Sequence, residues 1–150
     1  MMKTENFSSI LNKLHSALIE LEALLIEEVS QLRKVQINPV SLQIISDNKK
    51  QLLSTISHYD EMRKQLEVTL KITAPYKNNP RIATSWEEIV KKIKISNELN
   101  NKVAGLLALH MEKSDRLNKL VKKSGSMMPT YGANGQTETA SSGKVYNLSV

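Results

Sequence analysis

Residues 85–123 read SWEEIVKKIKISNELNNKVAGLLALHMEKSDRLNKLVKK, and the fold turns on that stretch. Trp86, Ile89, Val90 and Ile93 open a pattern that continues through Leu99, Val103, Leu106, His110, Leu117 and Leu120. Steps of three, four and seven dominate it, which is the period of one helix face. Thr84-x-x-Glu87 and Ser85-x-x-Glu88 are overlapping capping-box patterns and place the start near residue 85. Lys122 and Lys123 suit the negative end of a helix dipole and place its end near 123. A single long helix is expected, provided that Gly105 does not break it.

Working toward the N-terminus, residues 72–84 carry Pro75, Asn78, Asn79 and Pro80 and are expected to form a loop. Before it, Leu42, Ile45, Leu52, Ile56, Tyr59, Leu66 and Leu70 repeat the helical spacing, which gives a second helix over about 41–71. Two charged residues, Lys49 and Arg63, interrupt that face; their long stems are expected to carry the charge out to water. Earlier still, Phe7, Ile10, Leu14, Ala17, Leu21 and Leu24 form a stripe with Leu11, Leu18 and Leu25 beside it. The stripe drifts to Val29, Leu32 and Val35, so a first helix is expected over about 7–36, ended before Pro39. The fold class is therefore all-α, a long antiparallel three-helix bundle or coiled coil.

The helices are unequal. At 1.5 Å per residue they would be on the order of 45, 45 and 58 Å long. The third should project beyond the other two, and Leu117, Leu120 and Val121 fall on its far end, where no neighbour from the same chain is expected. An apolar stripe left uncovered marks an interaction surface.

From Ser124 the composition changes. Four of the five glycines and many Ser and Thr lie in residues 124–150, with no helical or strand period. The expected organisation is a helical unit over 1–123 and a flexible tail over 124–150. Inside the tail, Pro129-Thr130-Tyr131-Gly132-Ala133-Asn134-Gly135-Gln136 is an island of turn formers around a tyrosine. A tyrosine offers a large contact area and one hydroxyl, and few torsions to freeze on docking.

Composition narrows the chemistry. The 150 residues suffice for one domain, and 40% are apolar while 24% are charged. Leu and Ile supply 31 of the apolar residues and aromatics only 4% of the chain, a balance that favours helices over sheets. No cysteine is present, which excludes disulfides, thiolate catalysis and zinc–sulfur sites. The N-terminus lacks the apolar run of a secretion signal, and the apolar stretches near 23–26 and 105–109 are far too short to cross a bilayer, so a soluble cytoplasmic protein without membrane insertion is expected. There is no glycine-rich phosphate loop, no His-Glu-x-x-His and no Gly-x-Ser-x-Gly elbow. His15, His58 and His110 fall one per helix, and ordinary half-buried histidines explain them better than a metal site. The acidic neighbours Glu27-Glu28, Asp60-Glu61 and Glu87-Glu88 point in different directions on a helix and read as solvated faces. No enzyme, no cofactor, no metal and no small-molecule substrate is expected.

The net charge of +6 is uneven. Residues 1–70 hold 8 basic and 9 acidic side chains, whereas residues 71–150 hold 13 and 6. Lys91, Lys92 and Lys94, and then Lys119, Lys122 and Lys123, form basic clusters. Nucleic-acid binding would call for interleaved aromatics or a denser basic face, so it is a secondary reading. A helical adaptor or scaffold is the other alternative. Protein binding fits the residues best.

The tail island resembles the Pro-x-x-Tyr-Gly-x-x-Gly-Gln ending of the FlgN family of flagellar export chaperones. Trp86 at the opening of the third helix, Leu99-Asn100, and Gly105-Leu106-Leu107 agree with that family, and the resemblance covers essentially the whole chain. It departs at one place: the family has Leu between Thr and Tyr, whereas here Thr130 adjoins Tyr131. The resemblance implies a cytoplasmic type III export chaperone. Such a protein binds the C-terminal helical regions of the hook–filament junction proteins FlgK and FlgL, prevents their premature assembly and delivers them to the export gate protein FlhA. It also implies that client binding maps to Leu99, Val103, Leu106, Leu107, His110, Leu117, Leu120 and Val121, and gate docking to Tyr131 with Pro129 and Gly132.

Overall fold

A computed structural model gives the backbone of residues 2–123 and the side chains from Asn6 onward. The chain forms three helices, α1 (Met2–Leu32), α2 (Pro39–Leu70) and α3 (Pro80–Lys123). No strand occurs among the described residues. The expected three-helix architecture is what forms. Residues 124–150, expected as a tail, lie outside the described residues, as do Pro129, Tyr131 and Gly132.

The boundaries show which local signals acted. α1 ends at Leu32 rather than near 36, and residues 33–38 form a short connector. Asn38 caps α2: its side-chain oxygen accepts from the backbone N–H of Val40 at 3.1 Å and of Ser41 at 3.3 Å, and Pro39 stands at the first turn. α2 closes on Lys71 in the left-handed conformation, with the Ile72 N–H bonded to the Glu67 carbonyl. α3 begins five residues earlier than the capping boxes suggest. Pro80 supplies a first-turn residue whose φ is already helical, and Asn79 accepts from the N–H of Ile82. Thr84 and Ser85 are therefore inside the helix, where the Thr84 hydroxyl donates back to the Pro80 carbonyl. Gly105 does not interrupt α3.

Helix α1 is the central element. It packs against both α2 and α3, while α2 and α3 make little contact with each other. Glu28 meets Lys49, and Lys13 lies over Tyr59, so α1 and α2 are antiparallel. Glu22 meets Lys92, and the Leu32 carbonyl meets His110, so α1 and α3 run in the same direction. Each helix contributes a seam with alternating steps of three and four. In α1 it is Phe7, Leu11, Leu14, Leu18, Leu21, Leu25, Glu28 and Leu32, all buried. In α2 the same alternation runs through Leu42, Ile45, Lys49, Leu52, Ile56, Tyr59, Arg63, Leu66 and Leu70.

Lys49 and Arg63 thus stand at seam positions, and neither sends its charge to water. This corrects the sequence expectation. Lys49 is 1% exposed and its ammonium donates to Glu28 Oε1 at 2.8 Å. Glu28 is buried too, so the Glu27-Glu28 pair is split between solvent and core. Arg63 is buried at the other end of the molecule. It donates to Asp60, Glu67 and the Tyr76 hydroxyl, and its guanidinium lies 4.5 Å from the Trp86 ring centroid. Tyr76 packs edge to face against both Trp86 and Phe7. Tyr76 donates to Glu67 at 2.7 Å, and burial followed by that hydrogen bond raises its phenol far above the ordinary 10.0. One charged cluster therefore ties the α2–α3 connector to the core, with Trp86 buried beside it.

Candidate functional site

The distal end of α3 is the candidate site. Its own seam runs through Ile82, Trp86, Ile89, Ile93, Ser96, Asn100, Val103, Leu107 and His110 against α1. At His110 that partner ends. The imidazole Nε2–H donates to the carbonyl of Leu32, the last residue of α1. The seam keeps its register beyond this point, through Ser114, Leu117 and Val121. Thirteen residues of α3 follow His110, which is about 20 Å of helix.

Burial divides the eight residues expected to bind a client. Val103 is fully buried in the core between helices. Leu99, Leu106 and Leu107 are half-buried and pack on the core with part of their surface free. His110 is half-buried against the end of α1. Leu117 and Leu120 are 61% and 62% exposed, and Val121 is half-buried. Leu109 and Met111, which the sequence reading passed over, are exposed as well and widen the apolar surface.

Two grooves flank His110. One is lined by Leu32, Leu106 and Leu109 with Arg33, Lys34, Lys113 and Arg116 around them. The other is lined by Ile37, Pro39, Leu42, Leu107, Met111 and Leu117. Val35 stands at both, on the α1–α2 connector, and is 94% exposed. The sequence does not single out the connector, because a first helix expected to reach about residue 36 takes Val35 into its stripe.

Among the described residues no group of three His, Cys, Asp or Glu side chains converges as metal ligands would, and His15, His58 and His110 stay apart on three helices. Glu87 and Glu88 are exposed. No described helix is long and apolar enough to cross a membrane.

These features define an elongated all-α protein, built on a central helix and ending in a projecting helix with exposed leucines. Comparison with known proteins then places it. The FlgN protein family matches residues 1–139, and the chain belongs to that family. It is 29% identical over 137 residues to the flagella synthesis protein FlgN of Escherichia coli (strain K12), an alignment covering 91% of this chain and 93% of the relative. Identity to the protein of the same name from Salmonella typhimurium (strain LT2) is 31% over 137 residues, with the same coverage. The Yersinia enterocolitica relative is 28% identical over 144 residues, 93% of this chain and 95% of that one. No solved structure matches.

Proposed function

We propose that this protein is a flagellar export chaperone that holds the C-terminal helical regions of FlgK and FlgL on the projecting end of α3. In this reading it acts in the cytoplasm, keeps its clients from assembling early and passes them to FlhA. Membership of the FlgN family supports the chaperone role, as do relatives named for flagella synthesis. The observation that carries the client site is the exposure of Leu117 and Leu120 on a helix that has outrun its partner α1.

The physics is that of a helix laid along an apolar groove. An assembly helix that is apolar on one face self-associates unless that face is covered. Covering it is worth about 25 cal/mol per Å² of apolar surface, before the costs of association are subtracted. No covalent step and no bound nucleotide is required, and a non-enzymatic role follows. Docking on FlhA is assigned to Tyr131 with Pro129 and Gly132. A separate docking element lets client and gate be held together, so handover does not require prior release.

The test is calorimetry with the C-terminal regions of FlgK and FlgL. Leu117→Asp with Leu120→Asp should weaken binding at least about tenfold, the loss of roughly 1.4 kcal/mol or more expected when two apolar contacts are replaced by buried charge. Both side chains are exposed, so helix content should not change. Unchanged affinity would remove the client site from this end of α3.

A further inference from the structure

We propose that the connector between α1 and α2 is the second wall of this site, and that it selects an amphipathic helix whose apolar stripe is flanked by carboxylates. The inference deepens the client-binding reading and rests on it for the location of the groove. Three observations carry it.

First, the connector contributes apolar side chains to both grooves. Val35 is almost wholly exposed, yet it borders the grooves on both sides of His110, and Ile37 lines one of them. A Val held that openly beside Leu109, Met111 and Leu117 offers a second apolar edge facing that of α3. Second, the connector is held in place. Asn38 caps α2 on one side of it, and His110 binds the Leu32 carbonyl on the other. Third, the rim is cationic. Arg33, Lys34 and Lys113 are exposed at the first groove and form no ion pair with a described residue, and Arg116 beside them is met by Glu112 at 2.8 Å. Four cations and one carboxylate line that groove.

An occupant must therefore match an apolar floor and a positive border. A helix fits the floor, because the α3 seam keeps the three–four alternation of a helix partner beyond the end of α1. Glu or Asp beside the apolar stripe fits the border, steering the encounter and fixing the register. Basic flanks would be placed against Arg33, Lys34 and Lys113 and are disfavoured.

The experiment uses the full chain and two designed helical peptides with one shared leucine stripe, one flanked by Glu and its twin by Lys. Fluorescence anisotropy at low salt should show the Glu peptide binding about tenfold or more tightly than its twin, the sum of a few exposed ion pairs. The difference should shrink as salt is raised. Arg33→Glu with Lys34→Glu alters two exposed side chains and should invert the preference while leaving the helical circular dichroism unchanged. Equal affinity for the two peptides, or a variant that keeps the original preference, overturns the inference. If sedimentation shows a second copy of the chain in the groove, released by Arg33→Glu with Lys34→Glu, the acidic partner is likewise refuted. The two readings fail separately. FlgK binding that is lost with Leu117→Asp and Leu120→Asp but indifferent to the connector variant sinks only the second wall. Peptide selection without any FlgK or FlgL binding sinks the client assignment and leaves the groove's chemistry standing.

Discussion

Lys49→Met isolates the interaction that sequence periodicity alone misreads. Methionine keeps most of the lysine stem and removes the ammonium, so packing volume changes little. What changes is Glu28, whose carboxylate sits at a buried seam position of α1 with Lys49 2.8 Å away. Left without that partner, it is a charge in a low-dielectric contact, and breaking such a pair from one side costs about 3–5 kcal/mol. Domains of this size have about 5–15 kcal/mol in total, so the single variant should lose a large share of its stability. Lys49→Met combined with Glu28→Leu removes both charges from the seam, and should recover to within about 1 kcal/mol of the parent or exceed it. Urea unfolding followed by far-ultraviolet circular dichroism at neutral pH measures all four corners of the cycle. A single variant within about 1 kcal/mol of the parent, or a double variant no better than the single, would refute the reading that the pair is buried and mutually dependent.

The other stability predictions concern the opposite end and the caps. Tyr76→Phe should cost about 1–3 kcal/mol, because Glu67 and Arg63 each lose a buried partner. The same variant should change the alkaline limb of the stability curve. The native phenol titrates above its unfolded value of 10.0, so its contribution is complete below about pH 10 and is lost as pH rises toward the higher native value. The parent should therefore lose more stability than Tyr76→Phe over that range, and parallel curves would show the phenol to be uncoupled from folding. Trp86→Ala removes the ring shared by Tyr76 and Arg63 and should cost about 3–5 kcal/mol in chemical denaturation. Asn38→Ala leaves the first turn of α2 without its cap and should cost about 1 kcal/mol, read in the same assay.

The helices were legible because apolar residues at steps of three and four are a direct record of which face is covered. The same record does not say what covers it. Lys49 and Arg63 sit in register with Leu42, Ile56 and Leu70, yet a single helix cannot show that Glu28 waits at a seam position of α1 or that Tyr76 returns from the next connector to meet Arg63. A signal was present: both cations fall on seam positions rather than beside them, and Glu28 keeps the seam register of Leu25 and Leu32. α3 starts before the capping boxes for a local reason. Thr84 and Ser85 satisfy a capping pattern, but Pro80 with Asn79 before it provides an earlier start, and an earlier start buries Ile82. At the candidate site, helix lengths in the sequence foretold a projecting α3. They could not foretell that Val103 belongs to the core, or that Arg33, Lys34, Val35 and Ile37 line the grooves, since both depend on where α1 stops.

On the proposed function, a client helix lies where α3 continues past the end of α1. Amide hydrogen exchange of the full chain, with and without the C-terminal region of FlgK, tests it most directly. FlgK should slow exchange in residues 106–123 and in the connector 33–38, with the middle of α2 unchanged. Protection confined to α2, with residues 111–123 exchanging as they do in the free protein, would contradict it.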